Sequence, residues 1–288
     1  MIQRAYITEW RTRAPWPTDA QVEQDLAISR AIVEIFSDPS LAGSLAFRGG
    51  TALHKLYLAP ATRYSEDIDL VQVQAGPIGA IMDGLRRKLD SWLGEPRRNR
   101  SEGRMAMVYR FDSEIPPITP LRLKVEVNTR EHFSVAGFKR EPFSVDSRWF
   151  QGSADLKTYA LEELLATKLR ALYQRSKGRD LYDLAVALER FPKLDLEKTV
   201  ECYQRYIEHE GNRVSRAEFE ANMAGKITDP AFHEDIEPLL VVGTLQASAP
   251  DDASLQTGTA PYDSKSAYRR VHEAFITRLP GDPWRGPE

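Results

Sequence analysis

An α+β fold, with strands gathered in the first half and helices filling the second, is what this sequence predicts. Two patterns carry that prediction. Apolar and polar residues alternate over residues 105–111 and 121–127, with shorter strand candidates at 67–70 and 138–145. Helical spacing of apolar residues marks 78–93 and 161–174, and beyond residue 150 only helical candidates follow, at 195–206, 215–223, 235–240 and 268–279. The loop Gln151-Gly152-Ser153 therefore divides the chain into a core domain, residues 1–150, and a helical domain, residues 151–288.

In chain order, Thr18 and Gln21 suit a capping box, and Val22, Leu26, Ser29, Ile32, Val33 and Phe36 continue the helix until Asp38-Pro39 ends it. The most informative stretch follows, F-R-G-G-T-A-L-H-K-L-Y-L-A-P-A-T-R-Y-S-E-D-I-D-L over residues 47–70. Gly49 and Gly50, with Thr51 behind them, precede a helix expected over 52–58. Glycines there let backbone N–H groups approach a phosphate, to which a helix N-terminus adds a favourable dipole. Arg48, just before them, is placed to reach a phosphate or to stay on the surface. Asp67 and Asp69 lie two apart on a strand, so their carboxylates share a face, which suits an oxygen-seeking divalent cation. Taken separately, the same residues would serve as an ordinary turn with a helix cap and as a solvated strand end.

The helix at 78–93 carries Arg86, Arg87 and Lys88 on its polar side, and the loop expected after it adds Arg97, Arg98, Arg100 and Arg104. These residues could hold an RNA backbone through its phosphates, or form a solvated surface. On the strand at 121–127 the polar face holds Arg122, Lys124, Glu126 and Asn128. Glu126 is the candidate third carboxylate, as base or metal ligand, with an ion pair to Lys124 or Arg130 as the alternative. At ~100° per residue Lys168 falls inside the stripe formed by Leu161, Leu164, Leu165, Leu169 and Leu172. A lysine in such a stripe needs an anion, a nucleotide phosphate or a core carboxylate, unless it snorkels to solvent. Asp180 and Asp183, three apart, would share one helix face, and Asp180 alone could cap that helix.

The segments F-R-G-G-T-A-L-H-K-L and R-Y-S-E-D-I-D-L, with the lysine and R-D-L-Y-D farther on, resemble the AbiEii family of bacterial toxin nucleotidyltransferases, which includes the MenT toxins. Fifteen residues separate Thr51 from Asp67, a longer gap than in polymerase-β-like nucleotidyltransferases at large, so the resemblance is to the toxin branch. It implies a mixed-sheet, polymerase-β-like core followed by a C-terminal helical domain that completes the active site. It implies transfer of a nucleotide from an NTP, with Mg²⁺ or Mn²⁺, to the 3′ end of tRNA, and a winged-helix antitoxin of the AbiEi type as partner. By the same resemblance Asp67, Asp69 and Glu126 would hold the metal. Gly49, Gly50, Thr51, Lys55, Ser65, Lys168 and Asp180 would bind the nucleotide, and Asp183 would orient Lys168 or take a proton. A phosphate on Ser65, two residues before Asp67, would compete for the metal and repel the NTP. A transferase acting on a protein or small molecule, and a non-catalytic nucleotide-binding module, are the competing functions.

Composition narrows the field. No apolar run approaches the ~20 residues of a membrane helix, and the arginine-bearing start reads as no secretory signal. The single cysteine, Cys202, excludes an internal disulfide framework and fits a reducing cytoplasm. A net charge of −3 argues against a general nucleic-acid coat while allowing a local basic face. His54 and His132, isolated in sequence, are weak metal candidates. Residues 247–261, rich in Ser, Asp, Gly and Pro, read as a loop, and 280–288 as a frayed tail.

Overall fold

The computed structural model describes residues 2–240 and 262–286, and the chain divides into two units, Met1–Tyr159 and Ala160–Glu288. In the first, α1 (Arg4–Trp10) precedes α2 (Asp19–Phe36), whose capping box by Thr18 and Gln21 is complete in both halves. Asp38-Pro39 does more than end α2. The Asp38 carboxylate accepts from the Ser40 and Leu41 N–H groups and Pro39 fills the first turn, so a short helix, α3 (Pro39–Ser44), starts there. Then come β1 (Leu45–Arg48), α4 (Gly49–Ala52) running into a π-helical turn over Leu53–Tyr57, β2 (Asp67–Gln72) and α5 (Gly79–Leu93). The helix after β1 thus begins at the glycines themselves rather than at residue 52.

Two expected loops are strands. The arginine-rich stretch forms β3 (Arg97–Ser101), hairpinned to β4 (Arg104–Asp112). All of β3 is exposed, so no apolar alternation could announce it. After β5 (Pro120–Asn128) and β6 (Phe138–Asp146), residues 151–153 open β7 (Gln151–Tyr159), and the division of the chain falls after Tyr159 rather than at 150. What orders β7 is nonlocal: it pairs along its whole length with β6 and touches β1.

The strands make one sheet in the order β3-β4-β5-β2-β1-β7-β6. It is mixed, since β2 runs parallel to β5 and β1 parallel to β7 while the other neighbours are antiparallel. Ile68, Leu70, Met107, Tyr109, Leu123 and Val125 form its buried face under α2 and α5. The Tyr109 hydroxyl donates to Asp90 of α5 at 2.9 Å, and Trp92 of α5 donates to Glu34 of α2 at 3.1 Å. By the two-residue pleat the opposite face carries Asp67, Asp69, Lys124 and Glu126.

The second unit is helical: α6 (Leu161–Gln174), α7 (Gly178–Arg190), α8 (Leu196–His209), α9 (Arg216–Ile227), α10 (Pro230–Glu234) and α11 (Ser264–Ala274). Asp195 caps α8, and Ser215 with Glu218 makes a capping box for α9. Where a helix is expected at 235–240 there is only a 3₁₀ turn, Glu237–Leu239, because Pro238 offers no N–H to a longer ladder. The closing helix starts earlier than 268 and passes into a 3₁₀ turn at Ile276–Arg278. The expected tail is tied at Pro280, whose carbonyl accepts from the Arg216 N–H at 2.8 Å, and at Trp284, whose N–H donates to Glu220 at 2.7 Å. The loop predicted at 247–261 lies outside the described residues.

Candidate active site

The site begins with a register. Arg48, the last residue of β1, pairs with Asp69 of β2, so the chain turns directly over the Asp69 carboxylate. Gly49 makes that turn with φ +82°, and a Cβ there would stand 2.9 Å from both Cβ and Cγ of Asp69. Glycine is required for conformation and for space. We expect Gly49→Ala to abolish nucleotidyl transfer and to lower stability by about 2 kcal/mol, read by urea unfolding; a variant retaining half the wild-type rate would show that the close approach does not position Asp69.

Behind the turn, the buried Thr51 hydroxyl donates to the Asp67 carbonyl oxygen at 2.5 Å and lies 2.9 Å from the Ser65 hydroxyl. Thr51 and Ser65 thus brace the glycine turn against the aspartate strand. Lys55 turns away to α2, its ammonium 3.0 Å from Asp25 Oδ2 and 3.0 Å from Ser29 Oγ. Arg48 pairs with Glu131. Gly49, Gly50, Thr51, Ser65, Asp67 and Asp69 therefore come together, and Lys55 does not join them.

Burial, reinforced by the neighbouring Asp69 carboxylate, pushes the Asp67 carboxyl up to about 6, against the pull of Lys124. Asp67 Oδ1 is buried with no hydrogen-bond partner. Two crowded carboxylates, one with an orphaned oxygen, are a donor set that fits a hard divalent cation. Among the described residues no cluster of three or more such ligands exists, so the remaining coordination would come from substrate and water.

Glu126 faces the same side, in register with Asp69, but its carboxylate is engaged: Lys124 lies 2.7 Å from Oε2 and Arg104 3.4 Å from Oε1. The ion pair with Lys124 is therefore formed, while Arg130 pairs with Glu102 instead. Lys124, in register with Asp67, is the residue that sequence reasoning undervalued. Its signal was present in the two-residue spacing to Glu126.

The basic residues of the sequence do not make one surface. Arg97 and Arg104 lie on the aspartate face of the sheet, whereas Arg98 and Arg100 pair with Met107 and Met105 on the other. Arg86, Arg87 and Lys88 belong to α5, which covers that other face. Arg86 pairs with Asp90 at 2.9 Å, and Lys88 is 4.0 Å from Asp38.

In the second unit, described by itself, Lys168 is 6% exposed between α6 and α7, and its ammonium donates to Asp180 at 3.0 Å and pairs with Asp183 at 2.9 Å. Arg175 adds a two-pronged contact to Asp180 at 2.7 and 2.9 Å. Burial works to raise the Asp180 pKa, but Lys168 and the Arg175 fork outweigh it and hold the carboxyl below its usual range. Asp180 sits inside the first turn of α7 and does not cap it. Cys202 is buried, its thiol pushed up to about 12 mainly by desolvation, as an inert packing residue would be.

A mixed sheet that sets two carboxylates beneath a Gly-Gly-Thr turn is the architecture of a nucleotidyltransferase. Residues 30–255 match the family model described as nucleotidyl transferase AbiEii toxin, type IV toxin-antitoxin system, and the chain belongs to that family. Its fold is similar to that of MenT4, a nucleotidyltransferase toxin from Mycobacterium tuberculosis, with TM-score 0.54 at 18% identity over 98% of this chain and 92% of that one. A putative nucleotidyltransferase from H. pylori aligns with TM-score 0.46 at 15% identity over 77% of this chain and 89% of that one. No functionally curated protein matches the sequence. Among the described residues no helix is long and apolar enough to cross a membrane.

Proposed function

We propose that this toxin transfers a nucleoside monophosphate from an NTP to the 3′-terminal hydroxyl of tRNA, so that charging and translation fail. The observation that supports this most is the Asp67–Asp69 pair beneath the Gly49 turn, with its orphaned, desolvated oxygen. Asp67 and Asp69 would hold Mg²⁺, which would supply neutralisation of charge on the reacting phosphates. The N–H groups following Gly49 receive phosphate oxygens of the NTP. The acceptor oxygen forms a bond to the α-phosphorus as the bond to the bridging oxygen breaks, and pyrophosphate leaves with that electron pair. Glu126 takes the hydroxyl proton, since Asp183 has no exposed side-chain surface and already holds Lys168. Within the helical unit, two of the three ammonium protons of Lys168 go to Asp180 and Asp183. An AbiEi-type antitoxin is the expected restraint.

The test incubates the purified protein with Mg²⁺, total tRNA and each α-labelled NTP in turn, beside Asp69→Asn. Label on tRNA with at least one NTP, reduced about a thousandfold in the variant, is the expected result. Label appearing only on protein or a small molecule would replace the acceptor, and none with any NTP or EDTA-insensitive transfer would overturn the chemistry.

A further inference from the structure

One feature of the aspartate face is a pair of arginines set against each other. Register sets Arg110 of β4 directly opposite Arg122 of β5, and both are exposed. Arg122 shares its face with Lys124, two residues on, and Lys124 is in register with Asp67. Like charges directly opposite in an antiparallel pair destabilise it. The nearby acids relieve only the Arg122 side of the arrangement. Glu66 takes Arg122 at 3.2 Å, Glu126 is held by Lys124 and Arg104, and Asp112 lies two residues along β4. Arg110 has no ion-pair partner among the described residues. An anion that visits the surface would explain a cost the fold does not need.

Position says which anion. The sheet order β4-β5-β2-β1 places the aspartates of β2 between the glycine turn, at the end of β1, and the arginine pair on β5 and β4. A transfer between two substrates needs one on each side of the reacting phosphorus. With the donor triphosphate at the glycine turn, the arginines lie on the acceptor's side. Guanidinium groups grip phosphodiesters through paired N–H donors. We propose that Arg110 and Arg122 are positioning residues that hold the backbone phosphates of an RNA strand so that its terminal hydroxyl lies over Asp67 and Asp69. This rests on the RNA-acceptor reading above, and it narrows the RNA surface to one face of the sheet, leaving Arg98 and Arg100 without a role in it.

The experiment compares R110Q/R122Q with R98Q/R100Q, the latter altering equal charge on the other face. Label transfer to total tRNA gives KM and kcat, and anisotropy of a short fluorescent single-stranded RNA across a salt series gives the binding slope. R110Q/R122Q should raise KM for RNA by at least about tenfold, with kcat and KM for NTP within about twofold, and lower the slope of log Kd against log salt by about 1.4. Its melting temperature should stay close to that of the wild type, because the exposed Arg122–Glu66 pair that it loses is worth little, so misfolding would not account for the loss. R98Q/R100Q should behave as wild type. An unchanged RNA KM and salt slope in R110Q/R122Q, or an equal loss in R98Q/R100Q, overturns the assignment. Wild-type protein that labels no RNA overturns the acceptor reading itself, a distinct result.

Discussion

Asp67→Asn is expected to make the protein more stable and inactive at once. The Asp67 carboxyl titrates near 6 when folded, against a reference of 3.8, because burial and Asp69 both oppose its charge. Below the reference value both states are protonated and nothing is lost. Between the two values the folded state holds a proton that the unfolded state has released, and stability falls as pH rises. Above 6 the whole penalty is present, on the order of 3 kcal/mol. The asparagine variant should therefore melt several degrees above wild type at pH 8 in EDTA, with the gap closing as pH falls through 6 toward 4. Mg²⁺ should stabilise the wild type and not the variant, because only the wild type retains the paired carboxylates. Transfer by the wild type at limiting Mg²⁺ should decline below pH 6, where the cation competes with a proton. Equal melting temperatures at pH 8, with or without Mg²⁺, would mean that the two aspartates are neither desolvated nor a cation site.

Lys168→Met is expected to cost about 3–5 kcal/mol, because it leaves fully buried carboxylates without their cation. Arg175 can still serve Asp180, so the loss falls mainly on Asp183, which gives up its contact with the Lys168 ammonium. Adding Asp183→Asn to Lys168→Met should recover much of the loss, as an amide tolerates burial far better than a charge that has lost its cation. Urea unfolding of the three proteins measures this directly. Near wild-type stability of Lys168→Met would show that the buried pair does not form. Loss of activity in a Lys168 variant therefore bears on catalysis only when measured on the folded fraction.

The sequence by itself determined what short-range geometry determines. A two-residue pleat put Asp67 and Asp69 on one face whatever their neighbours, and the Thr18 capping box fixed the start of α2 within four residues of chain. The glycine turn, the lysine in the α6 stripe and the R-D-L-Y-D segment were enough to reach the family, which the match over residues 30–255 shows. They were not enough to supply Lys168 with its anions. Either a phosphate or core carboxylates would satisfy a buried ammonium, and only the folding of α7 against α6 brought Asp180 and Asp183 to it. Likewise, local sequence left the seven arginines and lysines of 86–104 as one basic run. The β3–β4 hairpin then sent Arg98 and Arg100 to one side and Arg97 and Arg104 to the other, because a strand's faces acquire meaning only when its register with a neighbour is set. The meeting of Asp69 with Glu126, and of Arg110 with Arg122, belongs to that same class of fact. Each joins residues whose separation in the chain carries no periodic signal, and each is decided by which strands lie side by side.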